Sequence, residues 1–192
     1  MIYSTSTVTN FFLTGFTACG KTTVGSRLAN LTKMEFVDLD EKLQQRTHKP
    51  IPVLFHEMGE EQYRRLEGEV LCEMVQRQRQ VIALGAGTIT VPLNCEIIQQ
   101  HGMIIFLDLS LGELFERIRL TDKRVLFHLP MDTIPLDDAM LYRRIQSLFD
   151  LRRPYYQVAD ITVSISEMTL DQVVQAILFS LQKFRFYPTE VK

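Results

Sequence analysis

Residues 15–22 read Gly-Phe-Thr-Ala-Cys-Gly-Lys-Thr, the G-x-x-x-x-G-K-[ST] spacing of a phosphate-binding loop. The chemistry of anions explains each fixed position. Backbone N–H groups of a tight glycine turn converge on anionic oxygens, and a helix starting near Gly20 adds the positive end of its dipole. Lys21 is placed to reach the β- and γ-phosphates of a nucleotide, and Thr22 to offer its hydroxyl to Mg²⁺. Further along lie other groups that could share such a site: Asp38 and Asp40, Arg64 with Glu67, Gly85-Ala86-Gly87, Asp108, Arg117, Lys123-Arg124 and Arg152-Arg153.

These residues need elements to hold them. Phe11-Phe12-Leu13 is a short apolar run into the loop, and Val24, Leu28 and Leu31 follow it at helical spacing. Residues 34–40 read as an extended segment ending in Asp38 and Asp40, which on a strand would face one side. Two helical pieces are expected next, the first stopped at Gly59 and the second running from Glu60 to Arg77 with Tyr63, Leu66, Val70 and Met74 as its apolar stripe. Val81–Leu84 and Met103–Leu107 read as buried parallel strands, the first stopped by Gly85-Ala86-Gly87 and the second by Asp108. A helix is expected over Leu111–Arg119, then a mobile loop with Lys123, Arg124, Pro130 and Pro135. Another helix starts at Asp138 and ends at Pro154, followed by a strand over Ile161–Ile165 and a final helix over Leu170–Leu181. Alternating strands and helices predict a three-layer α/β/α sandwich around a five-stranded parallel sheet. Ligands of such sheets bind beyond the carboxyl ends of the strands, where the loop, both acids and the glycine turn all fall.

Composition narrows the class. The 192 residues, 46% hydrophobic and 23% charged, suit a single domain over 1–192 with a lid at about 121–138 and a tail from about 184. A formal net charge of −2 argues against a nucleic-acid binder that works through a broad basic surface. Cys19, Cys72 and Cys95 form no C-x-x-C pair and suggest neither a disulfide framework nor a zinc site, so a cytoplasmic protein is expected. No basic and apolar leader opens the chain, and no apolar run reaches bilayer length. A soluble monomer with small-molecule partners, no nucleic acid and no membrane follows as the expectation.

In order, Gly15–Thr22, Phe36-Val-Asp38-Leu-Asp40, Tyr63-Arg64-Arg65-Leu-Glu67, Leu84-Gly85-Ala-Gly87, Asp122-Lys-Arg124 and Leu151-Arg152-Arg153-Pro154 resemble shikimate kinase, from about residue 11 to residue 182. The resemblance implies transfer of the ATP γ-phosphoryl group to the 3-hydroxyl of shikimate, with Mg²⁺. By position it implies Gly15, Ala18, Cys19, Gly20, Lys21, Thr22 and Thr23 as the nucleotide cradle, Arg117 against adenine and Arg124 as a lid arginine at the phosphates. It implies Thr22 and Asp38 for the metal, and Lys21, Asp40 and Arg124 for catalysis. Asp40, Phe55, Arg64, Gly85, Ala86, Gly87 and Arg152 are implied for the substrate, and Glu67 behind them. The chemistry asks for the same types. Phosphoryl transfer needs positive charge around the transferred group and a carboxylate to take the hydroxyl proton. A planar guanidinium suits a carboxylate-bearing substrate.

Plainer readings accompany these. Asp38 and Asp40 could end a strand or cap a helix, Arg64 with Glu67 could be a surface pair, and Arg152 with Arg153 could complement a helix dipole. Asp108 competes with Asp38 for magnesium, and Phe55 with the core. Cys19, near a helix N-terminus and Lys21, is either a reactive thiolate or a small buried residue. The chain departs from the family at Ala86, between glycines where the family has a third, at Ala18 and Cys19 in the loop, and at Val125-Leu-Phe after Arg124. A gluconate-kinase-like enzyme and a non-catalytic ATP-binding module are the alternatives; a GTPase is disfavoured because no N-K-x-D sequence follows the loop.

Overall fold

Phe11, Phe12 and Leu13 are all buried, and they point to opposite sides of a sheet: Phe11 and Leu13 join one apolar cluster, Phe12 the other. The same alternation runs through Met103–Leu107, where Ile105 faces the first cluster and Ile104 and Phe106 the second. Strands buried on both faces read as continuous apolar runs because each face is covered by helices. The computed structural model describes residues 10–120 and 137–183. The lid segment with Arg124 and the tail from about 184 therefore lie outside the described residues.

The strands are β1 (Asn10–Thr14), β2 (Glu35–Asp38), β3 (Gln80–Ala83), β4 (Gly102–Asp108) and β5 (Ile161–Ser164). They form one five-stranded sheet in the order β2-β3-β1-β4-β5, every pairing parallel. One face carries α1 (Lys21–Thr32), α5 (Leu111–Arg119), α6 (Asp138–Tyr156) and α7 (Leu170–Lys183); the other carries α2 (Leu39–Thr47), α3 (Ile51–Met74) and α4 (Pro92–His101). Because β1 is central, with β3 on one side and β4 on the other, the loop leaving it opens at a topological switch point.

Several boundaries differ from expectation, each for a local reason. The stretch through Asp40 is not all extended: β2 stops at Asp38 and α2 starts at Leu39. The expected break at Gly59 is present as a non-helical residue (φ 74°) inside α3, which ends at Met74 rather than Arg77. Leu31 is exposed, and the buried face of α1 runs through Val24, Gly25, Leu28, Ala29 and Thr32. Its small residues let α1 lie close to Phe36 and Leu13. The apolar pattern marks no element between Gly87 and Met103, where the chain forms a 3-10 turn (Thr88–Thr90) and α4; α4 buries only Asn94 and Ile98, and Pro92 in its first turn was its main signal. Pro154 does not end α6, which continues to Tyr156. Within the last turn a proline forfeits one backbone bond without breaking the helix's packing against the core.

Gly102 opens β4 directly against β1, and a Cβ there would overlap the Asn10 carbonyl. Backbone cannot move aside as a side-chain tip can. Gly102→Ala is therefore expected to lower stability by about 1–3 kcal/mol, read as a shifted urea midpoint; an unchanged midpoint would show that β1 and β4 can separate freely at this end.

Candidate active site

The phosphate-loop motif folds as a cradle. Gly15 (φ 147°) and Gly20 (φ 99°) take conformations open to glycine, and Gly15 has no room for a side chain, since a Cβ would lie 2.8 Å from the Leu107 carbonyl oxygen and 2.9 Å from Cys19 Sγ. Ala18 also sits in the left-handed region (φ 66°), where a Cβ is strained, so the loop holds it there against its preference. Gly20 begins α1. Lys21 Nζ donates to the carbonyls of Gly15 (2.9 Å) and Phe16 (3.1 Å), and Arg117 Nη1 donates to those of Ala18 (3.3 Å) and Cys19 (3.4 Å). Both cations thus bear on one loop, and Arg117 arrives from α5, far away in sequence.

The two acids share this space by a route other than a common strand face. Asp38 caps α2, its Oδ1 accepting from the N–H groups of Asp40 (3.0 Å) and Glu41 (3.4 Å), while its Oδ2 accepts the Thr22 hydroxyl at 2.7 Å. The plainer reading of Asp38 as a cap and the functional one are therefore both compatible with its position. Asp40 lies in the first turn of α2. With Lys21, Thr22, Thr23, Asp38 and Ala86 it lines a cleft of about 270 Å³, which Asp108 does not line. Burial first and the Asp38 charge second push the Asp40 carboxyl up to about 6, against the pull of Lys21.

A second cleft, of about 570 Å³, lies across the glycine turn and is lined by Phe55, Glu60, Arg64, Arg144 and Arg152 among others. Arg64 is no surface residue: its side chain is 15% exposed and Nη1 donates at 2.8 Å to Glu67, whose side chain is 0% exposed. Glu67 also accepts the Thr88 hydroxyl at 2.7 Å. The turn fits over this pair because it lacks side chains where they matter. A Cβ at Gly87 would overlap the Arg64 guanidinium, and one at Gly85 would come within 2.9 Å of Glu67 Oε1 and Thr88 Oγ1 and 3.2 Å of Asp40 Oδ1. Ala86 does not have a positive φ, so its methyl group is accommodated where a third glycine would otherwise stand. Its carbonyl accepts from the Tyr156 hydroxyl at 2.9 Å. The Arg152 guanidinium stands 5.8 Å from the centre of the Phe16 ring, and burial pushes its pKa below the usual arginine range. Phe55 is half-buried and both packs against the core and lines the cleft, its ring 5.2 Å from that of Tyr63.

Of the expected site residues, Ala18, Gly20, Lys21, Thr22, Thr23, Asp38, Asp40 and Ala86 line the first cleft and Phe55, Arg64 and Arg152 the second; Gly15, Cys19, Gly85, Gly87 and Arg117 line neither, and Arg124 lies outside the described residues. Thr88, Arg144 and Tyr156 were missed. Tyr156 stands on α6 one turn after Arg152, a signal hidden by reading Pro154 as the end of the helix; Arg144 fell inside the expected helix, about two turns before Arg152, without being singled out, and no signal marked Thr88.

Comparison with known proteins agrees with this geometry. The sequence profile of shikimate kinase matches residues 17–182. The chain belongs to the shikimate kinase family. It is 35% identical over 172 residues to the shikimate kinase of Legionella pneumophila (strain Corby), covering 89% of this chain and 93% of that protein. Among solved structures, the shikimate kinase of Acinetobacter baumannii in complex with shikimate superposes with a TM-score of 0.82 at 29% identity, over 94% of this chain and 97% of that one. A gluconokinase from Sinorhizobium meliloti, 17% identical with a TM-score of 0.57 over 93% of this chain and 94% of that one, shares the fold alone.

Two outcomes follow from the geometry of this kinase. Asp40 binds a proton more readily folded than unfolded, so its contribution is most favourable below its unfolded pKa and is lost as pH rises through about 6. Asp40→Asn should therefore raise the melting temperature at pH 8 and have no such effect near pH 3.5; an equal shift at both would contradict the buried carboxyl. Cys19 is 1% exposed whereas Cys72 is exposed. Contrary to the reactive-thiolate expectation, a thiol-alkylating reagent should label Cys72 ahead of Cys19, as peptide mapping would show.

Proposed function

We propose that this chain is an ATP-dependent shikimate 3-phosphotransferase, moving the γ-phosphoryl group of ATP to the 3-hydroxyl of shikimate on the route to chorismate. The observation that carries the reading is that the glycine turn touches two clefts: Ala86 lines the one with the phosphate loop and both aspartates, and Gly87 lies against Arg64, which with Arg152 lines the other. A nucleotide and a carboxylate-bearing alcohol can then meet at Asp40.

Roles follow from position. Gly15–Thr23 cradle the phosphates. Lys21, turning from the loop carbonyls to the phosphate oxygens, supplies positive charge where it grows in the transition state, and Arg124 from the lid adds to it. Arg117 lies over the loop on the side assigned to adenine. Asp40 takes the proton of the attacking hydroxyl, and a carboxyl near 6 is poised to be ionised at neutral pH while remaining basic enough to act. Arg64 and Arg152 hold the substrate carboxylate, with Phe55 and the Gly85-Ala86-Gly87 backbone forming the wall for its ring.

Mg²⁺ fits the residues present. Among the described residues no group of acids, histidines and cysteines makes an all-protein metal cage. Magnesium kinase sites use few protein oxygens together with substrate phosphates, and the bonded Thr22 hydroxyl and Asp38 carboxylate offer such a pair. Bound there, the ion would neutralise phosphate charge.

Residues 1–192 are proposed to be one such kinase domain, with a lid at about 121–138, acting as a cytoplasmic monomer. The small net charge of −2 supports small-molecule partners. Among the described residues no helix is long and apolar enough to cross a membrane.

A coupled ADP-release assay with ATP, Mg²⁺ and shikimate tests the reading. Lys21→Met should lower kcat by about a hundredfold or more. Arg64→Met should raise the shikimate KM by about ten- to a hundredfold with little change in the ATP KM. Turnover of gluconate in place of shikimate, or ATP binding without turnover of either, would replace this reading with one of its alternatives.

A further inference from the structure

Tyr156 has no role in the reaction as described, yet its environment is built around its hydroxyl. The side chain is 0% exposed, and its ring stacks on Phe106 of β4 with centroids 4.9 Å apart and planes inclined by 21°. A phenolic oxygen carries one donor and can accept as well. Here it donates to the Ala86 carbonyl at 2.9 Å, and Arg152 stands one helical turn earlier on the same helix, its charge acting on the phenol. Burial raises the Tyr156 pKa far above the ordinary phenol value, which keeps the proton available for Ala86 at any working pH.

One bond therefore joins two separate parts of the site, the glycine turn and the helix that carries Arg152. The Ala86 carbonyl belongs to the turn whose flanking glycines lie against Asp40, Glu67 and Arg64. Arg152 comes from α6, which reaches Tyr156 only because the helix continues through Pro154. The turn follows β3 on one side of the sheet, and α6 packs mainly on the opposite face.

We infer that Tyr156 is a positioning residue for the acid substrate, its hydroxyl tying the Ala86 carbonyl to the turn of α6 that carries Arg152 so that the carboxylate meets a preset fork and the ring a preset wall. This rests on the reading of Arg152 and the glycine turn as the shikimate side of the site. Ala86 also borders the phosphate-loop cleft, whereas Arg152 lines only the other one, so the shikimate KM is expected to respond more strongly than the ATP KM.

The test is Tyr156→Phe, which keeps the ring and its stacking on Phe106 while deleting the hydroxyl. The shikimate KM should rise about fivefold, the size of effect that one lost buried hydrogen bond produces, with a smaller change in the ATP KM and a cooperative melting transition retained. A double-mutant cycle with Arg152→Lys separates positioning from general loosening. Arg152→Lys alone should raise the shikimate KM, and in the Tyr156→Phe background its effect should shrink by about threefold or more, because the fork is already displaced. Additive effects, an unchanged shikimate KM in Tyr156→Phe, or equal rises in both KM values would overturn the inference while leaving the shikimate reading in place if Arg152→Lys still acts. An Arg152→Lys variant with wild-type shikimate KM would remove both.

Discussion

The proposed substrate half of this site depends on a side chain buried without access to water, the Glu67 carboxylate. A buried carboxylate is tolerated only when its oxygens are paired. Glu67 meets that requirement with Arg64 on the preceding turn of the same helix and Thr88 just beyond the glycine turn. One ion thereby ties α3 to the loop after β3 and fixes the direction in which Arg64 points. The glycine turn can lie over the pair because Gly85 and Gly87 present no Cβ to it. Enlarging either glycine would collide with the groups that hold the turn, so the bare backbone and the buried ion pair are one arrangement. The same pair would be worth little on a surface helix.

The sheet explains how such distant segments meet. Parallel strands bring the ends of β1, β2, β3 and β4 to one edge, and the central place of β1 sends the phosphate loop out between neighbours reached from opposite directions. Helices then complete the site from both faces. From one face α5 brings Arg117 over the loop and α6 brings Arg152, whose guanidinium borders Phe16 of the same loop. From the other face α2 presents Asp40 and α3 presents Arg64. Phe16 and Phe149 meet edge to face at 5.8 Å, so the nucleotide loop and the helix carrying Arg152 share part of the core.

Function leaves a local cost at two places. Asp40 is kept in a partly dehydrated position beside Asp38, which raises its pKa and disfavours the charged form. Ala18 is held at φ 66°, a conformation that an L-residue adopts only under constraint. Both line the cleft proposed for the nucleotide, and both are offset by the well-packed clusters on either side of the sheet. Positive φ also occurs at Lys33, His48, Arg79 and Glu167, away from the clefts, so among the described residues Ala18 is the instance that falls in the phosphate loop.

The sequence by itself determined the phosphate loop, the alternation of strands and helices, and the set of polar residues at strand ends. Those depend on local spacing: glycines at turns, apolar runs two-sided in burial, and helical periodicity. It did not determine where β2 becomes α2, because Asp38 serves a strand end and a helix cap at once. It missed α4, whose buried face is only Asn94 and Ile98. It also missed the last turn of α6, because proline's local preference was overridden by packing of Tyr156 against Phe106. Tertiary structure alone decided that Arg64 with Glu67 is a buried ion pair rather than a surface one, and that Cys19 is packed away beneath its loop. It also decided that Tyr156 and Ala86, 70 residues apart, are bonded. Burial and long-range pairing are properties of how elements close on one another, and no local window of residues contains them.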